Sequence, residues 1–200
     1  DSSLNYLYQR GLFNGVVLLA ENGKVVYQKA LGNKGADSNG PVDTRSSFNL
    51  ASLSKQFTAM MVLMLKEEGK LHFDDPVQTH LPLFPYPGIS IRNLLTHTSG
   101  LPYESPEMVA RLAARTPLAA LTDEAFTAPL RFRPGTRFSY SDYAFLIAAR
   151  MAETATGDPF PELVRRLVLE PMGLRDTFLL PDAAAQARIA RVRDVQAEGT

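Results

Sequence analysis

Two runs of branched and aliphatic residues, Gly15–Ala20 and Lys24–Ala30, flank Glu21-Asn22-Gly23 near the start of the chain. An Asn-Gly step between such runs accepts positive φ at both central positions, which predicts an antiparallel hairpin. Residues 32–46, rich in Gly, Asn and Asp, read as a loop. From residue 52 the pattern becomes helical. Ser52–Glu68 runs uninterrupted to Gly69, with Lys66 and Lys70 near its end. Its Phe57, Met60, Met61, Leu63, Met64 and Leu65 cover most of the circumference, which predicts a buried helix. Asp75-Pro76, Ser105-Pro106, Thr116-Pro117 and Asp158-Pro159 each pair a capping side chain with proline at a first helical position. Ser90 is placed to cap a helix over 91–97 ahead of Gly100, and Ser141–Thr156 forms another that ends at Gly157. A lone two-stranded hairpin is marginal in water, and residues 160–200 supply no convincing strand, so the expectation is a chain whose remaining strands lie beyond Thr200.

Composition narrows the function classes. The 200 residues are 45% apolar and 21% charged, as in an ordinary globular protein with a core of its own. Lys plus Arg (21) equals Asp plus Glu (21), which argues against a nucleic-acid partner. The absence of cysteine removes disulfides, thiolate metal sites and cysteine nucleophiles. The longest apolar runs, Val16–Ala20 and Ala59–Leu65, fall far short of the roughly 20 residues of a membrane span. No basic n-region with an apolar h-region opens the chain, so the expectation is a signal peptide either absent or already removed, and no repeat is visible. The three histidines, His72, His80 and His97, do not sit at ligand spacing, and no metal is expected.

Ser52-Leu53-Ser54-Lys55 carries the first chemistry. S-x-x-K is the nucleophile motif of penicillin-binding proteins and class A β-lactamases. On a helix, residues three apart share a face, so the Lys55 amine reaches the Ser52 hydroxyl, and Ser52 at a helix start lies where unpaired N–H groups favour an oxyanion. Alone, the same four residues read equally well as an N-capping serine with a solvated lysine. Tyr140, at the junction of Arg133–Ser139 with the next helix, is placed either to aim its phenol into a cleft or to pack with its hydroxyl paired. His97 in Thr96–Gly100 is read as a helix-end residue capping carbonyls ahead of a base for Ser99, and Asp74-Asp75 as a helix start ahead of a carboxylate dyad.

Four longer segments, in order, resemble the class C β-lactamase-related serine hydrolases. Phe48–Ala59 is similar to the active-site helix of that family and Leu94–Pro102 to a structural hallmark. Pro134–Asp142 resembles its Tyr-x-Asn motif, and Glu170–Thr177 its Pro-Leu-Gly-Met-x-x-Thr segment. The resemblance runs from about Gly11 to about Arg193 and implies an α/β fold of the α+β type: an antiparallel sheet region and an all-helical region. Residues 1–50 would supply the first helix and strands, and 51–200 the helical region. It implies acyl transfer in which Ser52 is the nucleophile, Lys55 and Tyr140 manage its proton as a coupled pair, and the Ser52 N–H serves the oxyanion hole. A free phenol titrates near 10, so a phenolate at neutral pH needs a neighbouring cation, and Lys55 is the candidate.

Two departures modify this reading. The family's asparagine is Asp142 here, placed to bind substrate; an ionised carboxylate accepts hydrogen bonds but donates none. That tilts the expectation from a β-lactamase or D-amino-acid peptidase toward an esterase-like member acting on small esters or amides. The Lys-Thr-Gly or His-x-Gly motif has no match before Thr200, which keeps open a non-catalytic, penicillin-recognising protein. The remaining expectations are a small-molecule ester, amide or β-lactam substrate, no cofactor, a monomer, and a periplasmic or secreted location with a cytoplasmic one possible. Tyr103, Glu104 and Phe132 are read as packing or solvent-exposed residues ahead of cleft-lining ones.

Overall fold

A computed structural model describes residues 1–35, 40–113, 116–179 and 189–190. Parts of several sequence readings lie outside them: the 32–46 loop at 36–39, the resemblance at 180–188 and 191–193, and the 160–200 stretch and the 51–200 helical region at 180–188 and 191–200, the latter also at 114–115. The chain divides into two units, Asp1–Ala51 with Phe178–Thr200, and Ser52–Thr177.

The first unit holds α1 (Ser2–Gln9), β1 (Gly15–Glu21) and β2 (Lys24–Leu31). The two strands pair antiparallel, with Asn22 (φ 49°) and Gly23 (φ 75°) both left-handed at the turn, as the Asn-Gly step predicts. Asp1 anchors the helix start to β2, accepting from Tyr27 Oη at 2.6 Å and Lys29 Nζ at 3.0 Å. A second pairing is parallel, between β3 (Ser47–Phe48) and β4 (Ile189–Ala190). In the stretch 160–200, read as supplying no convincing strand, β4 is the pairing among the described residues, and two residues are too short to leave an alternating pattern.

The second unit is helical: α2 (Lys55–Glu67), α3 (Val77–His80), α4 (Ile91–Leu95), α5 (Pro106–Ala113), α6 (Leu118–Thr127), α7 (Asp142–Thr156) and α8 (Phe160–Val164), which runs on into a π turn over Arg165–Leu169. Met61 and Leu65 of α2, Ile91 and Leu94 of α4, Ile147 and Met151 of α7, and Leu163 of α8 are fully buried in one core. Each such side chain contributes about 1.5–3 kcal/mol through burial. The expected all-round burial of α2 is corrected: Met60 and Leu63 are about two-fifths exposed (41% and 42%), so α2 buries one face. Among the described residues no helix is long and apolar enough to cross a membrane.

Three of the proline-headed helix starts also differ from expectation. Pro76, Pro117 and Pro159 occupy the cap position themselves, with extended ψ of 141–143°, and no side chain caps those helices. Asp75, Thr116 and Asp158 therefore fall one step outside. Asp75 instead accepts the His72 N–H (2.8 Å) and pairs with His80, Asp74 binds Arg92, and Asp158 binds Arg166. Ser105 does cap α5, accepting from Met108 N–H at 2.9 Å, and Ser90 forms a capping box with Asn93.

Candidate active site

Ser52 is held in a 3-10 turn, Ala51–Ser54, that leads into α2 at Lys55. Ala51 before it is left-handed (φ 45°), a conformation that costs a non-glycine residue about 1–2 kcal/mol, and Asn49 Oδ1 accepts the Ala51 N–H at 2.8 Å. In a 3-10 turn, residues i and i+3 eclipse one another. Lys55 Nζ accordingly donates to Ser52 Oγ at 3.4 Å. The N-capping alternative for Ser52 does not describe this arrangement, because the α-helix begins three residues later and the Ser52 hydroxyl faces Lys55 and Tyr140.

Tyr140 Oη donates to the same Ser52 Oγ at 2.7 Å across 88 residues of sequence. Its position comes from backbone bonds that join residues 97–103 to 131–142. Arg131 N–H donates to Gly100 C=O (2.7 Å), Gly135 N–H to Thr98 C=O (2.8 Å), Ser139 N–H to His97 C=O (2.9 Å) and Asp142 N–H to Tyr103 C=O (3.3 Å). The Leu94–Pro102 segment is thus the backing of the tyrosine loop. Gly100 is left-handed (φ 83°), and a Cβ there would lie 2.3 Å from the Phe132 carbonyl oxygen.

His97 stands at the end of α4 as the sequence reads it, its N–H closing on the Leu94 carbonyl at 3.2 Å, and it is not bonded to Ser99. It is itself left-handed (φ 56°), its ring stacks on Tyr140 with centroids 4.4 Å apart, and its Nδ1 accepts the Ser141 N–H at 3.1 Å. As an acceptor, Nδ1 carries no proton. Burial, and then the charge of Lys55, hold the His97 pKa below its ordinary value, with Asp142 opposing weakly. His97 therefore orients Tyr140 as a neutral ring. Ser99 is buried, and its Oγ accepts from the Leu101 N–H.

The Asp142 carboxylate, expected to bind substrate, bonds to Lys55 Nζ; the two side chains are 19% and 16% exposed. Asp142 is the first residue of α7, where the helix end favours a negative charge, and Ser141 caps that helix through Ala144 N–H. Burial alone would lower the Lys55 pKa, but Asp142 and Tyr140 outweigh it and hold it above the ordinary lysine value. The ammonium also lies 4.8 Å from the Tyr140 ring centroid. One hydroxyl thus faces a phenol and an ammonium, the groups that moving a proton to and from a serine oxygen requires.

Tyr103 is exposed and packed, as the sequence reads it, and it and Glu104 touch the groups around Ser52. Tyr103 packs its ring 5.7 Å from Tyr140. The Glu104 carboxyl is pushed above its ordinary range by burial, then by a hydrogen bond with Asp142 and by that group's charge. No motif marks either residue; a signal lay in their following directly on the Leu94–Pro102 segment. Phe132 stands with its carbonyl against Gly100. Among the described residues no group of acidic or histidine side chains is gathered as a metal site.

The comparisons agree with this geometry. Penicillin-binding protein 4* of Bacillus subtilis (strain 168) is 34% identical over 177 residues, 86% of this chain and 39% of that protein. Esterase EstB of Burkholderia gladioli is 32% identical over 215 residues, 94% of this chain and 55% of that protein. The solved structure of EstCE1, a hydrolase with promiscuous acyltransferase activity, superposes with a TM-score of 0.81 at 28% identity, over 94% of this chain and 54% of that one. The chain thus spans about two-fifths to just over half the length of these relatives, and solved structures that include a class C β-lactamase share its β-lactamase/transpeptidase type of fold. The Beta-lactamase family profile matches residues 5–199, a span that takes in Ser52, Lys55 and Tyr140 together with the loop that backs them. This chain belongs to the Beta-lactamase family.

Proposed function

We propose that the protein is a serine hydrolase that acts on small esters or amides through an acyl-enzyme. The observation that carries this reading is the convergence of Tyr140 Oη and Lys55 Nζ on Ser52 Oγ, at 2.7 and 3.4 Å. In the reacting form Tyr140 Oη has given up its proton beside the Lys55 ammonium; Ser52 Oγ bonds to the acyl carbon as its own proton passes to Tyr140 Oη, and the carbonyl oxygen becomes an oxyanion facing the Ser52 N–H. Collapse breaks the bond to the alcohol or amine, which leaves with a proton from the pair. Water then attacks the acyl carbon, gives its proton to the pair, and Ser52 recovers one as the acid departs. Because the Lys55 ammonium is stabilised by Asp142, it serves as the fixed positive charge beside the phenol, and Tyr140 Oη is the atom through which the proton travels.

Asp142 supports the ester over the β-lactam. Its carboxylate is engaged with Lys55 and, being ionised, offers no donor to a substrate carbonyl. EstB bears the name of an esterase and EstCE1 that of a hydrolase. The competing reading, a penicillin-reactive protein, is favoured by the 34% identity to penicillin-binding protein 4*. Intact-mass spectrometry after reaction with a fluorophosphonate and, separately, a penicillin tests both. A single adduct on Ser52, absent from Ser52→Ala and faster with the fluorophosphonate, is the expected result. A faster penicillin adduct would select the second reading, and no adduct on folded protein would refute acyl transfer by this chain.

A further inference from the structure

Glu124 of α6 accepts two hydroxyl hydrogen bonds on one oxygen. Ser105 Oγ and Tyr143 Oη each donate to Oε1 at 2.5 Å. The other oxygen, Oε2, is sealed from solvent without a hydrogen-bond partner among the described residues, and the nearest cation, Arg111 Nη1, stands 3.8 Å away. The side chain is 23% exposed, and two hydroxyls and the Arg111 ion pair partner it; such a pair gains little stability over apolar packing of the same volume. What the carboxylate offers is geometry. As an acceptor without a proton, it fixes both hydroxyls as donors, and Ser105 Oγ has its own acceptor lone pair on Met108 N–H (2.9 Å).

The two residues it joins flank the candidate active site. Tyr143, 2% exposed, follows Asp142 directly in the first turn of α7. Ser105 lies two residues after Tyr103, whose carbonyl accepts the Asp142 N–H at 3.3 Å and whose ring packs 5.7 Å from Tyr140. Tyr143, Glu124, Ser105, Tyr103 and Asp142 therefore close a ring of contacts behind the reacting groups. We propose that Glu124 is a positioning residue: by clamping residues 103–105 to the first turn of α7, it sets Tyr140 and Asp142 against Ser52 and Lys55. The proposal rests on the reading of Ser52, Lys55 and Tyr140 as the reacting groups.

The test compares Glu124→Gln, Tyr143→Phe and their double variant with the unaltered protein. Readouts are the rate of Ser52 labelling by a fluorophosphonate as a function of reagent concentration, and the titration of His97, which stacks on Tyr140, by nuclear magnetic resonance. Displacements of about 1 Å cost roughly 100-fold in well-aligned reactions. Each single variant is expected to lower the limiting labelling rate about 10- to 100-fold, with half-saturation moved less than about twofold. The double variant is no slower than the slower single one, because both break the same clamp. The His97 inflection moves up toward the ordinary imidazole value as the ring loosens. Labelling at the unaltered rate in variants that merely melt earlier would overturn the proposal, leaving Glu124 as structural glue. If Glu124→Gln does not fold, Tyr143→Phe distinguishes the same two outcomes alone. If the unaltered protein is not labelled, the Ser52 reading fails instead, and an unchanged His97 inflection in the variants would then separately overturn the clamp.

Discussion

Replacing Asp142 by asparagine removes the negative partner of a largely buried ammonium without changing side-chain size. Breaking a fully buried ion pair costs about 3–5 kcal/mol, and breaking an exposed one about 0.2–1 kcal/mol. Lys55 and Asp142 are 16% and 19% exposed, which places the pair nearer the buried limit. An asparagine carbonyl still accepts one hydrogen bond from the ammonium, so the expected loss is about 2–3 kcal/mol. For a chain of this size that lowers the melting temperature by about 4–12 °C. The loss depends on pH in a defined direction. Lys55 has a folded-state pKa above its ordinary 10.5, so the pairing stabilises the protein fully below that value and the stabilisation fades as pH climbs through the raised one. The gap between the two proteins is therefore widest from neutral pH to about 10.5 and closes above it. In Asp142→Asn, burial of Lys55 is opposed by Tyr140 without the carboxylate, so the inflection that Lys55 contributes to the pH profile of Ser52 labelling moves to lower pH. Circular-dichroism melts from pH 7 to 11, with labelling rates over the same range, measure both effects. A melting temperature within about 1 °C of the unaltered protein at pH 7, together with an unmoved labelling profile, would refute the claim that Asp142 holds Lys55 charged.

Tyr140→Phe is expected to cut Ser52 acylation by about 100- to 10,000-fold, the range for a positioned proton-transfer group, with little change in melting, since its hydroxyl bonds to the exposed Ser52 Oγ; a rate near that of the unaltered protein would remove Tyr140 from the mechanism. Gly100→Ala combines a left-handed backbone with a Cβ placed 2.3 Å from the Phe132 carbonyl, so it should destabilise the protein by about 2 kcal/mol or more and slow labelling along with it; chemical denaturation would show whether that clash is tolerated. Below pH 6.5 unfolded His97 takes up a proton that the folded ring resists, so stability is complete above that value and declines as pH falls toward the lowered folded pKa. His97→Asn, which suits a left-handed position and does not titrate, should flatten that part of the melting-temperature profile; an unchanged acid slope would assign it to other groups.

Local signals along the chain defined much of this protein. The Asn22-Gly23 turn, the caps at Ser90, Ser105 and Ser141, and the stops at Gly69 and Gly157 depend on backbone preferences within a few residues, and each takes the conformation its sequence favours. The Ser52–Lys55 spacing is of the same kind, because one turn brings position i over i+3 whatever surrounds it. The starts headed by Pro76, Pro117 and Pro159 misled because a proline fits either the cap or the first helical position, and neighbouring residues cannot distinguish the two. Tertiary structure decided the rest. The Tyr140 hydroxyl reaches Ser52 across 88 positions, and Asp142 meets Lys55 where an amphipathic reading of either helix offers no partner. His97 closes the end of α4 as its sequence position suggests, but its stacking on Tyr140 was not legible, for the same reason: long-range hydrogen bonds and stacking, set by how the 97–103 and 131–142 segments pair, leave no periodicity in the sequence to read. Residue types and short spacings made the chemistry available, and folding gave each group its partner, since the charge state of a lysine or histidine follows from what is packed against it.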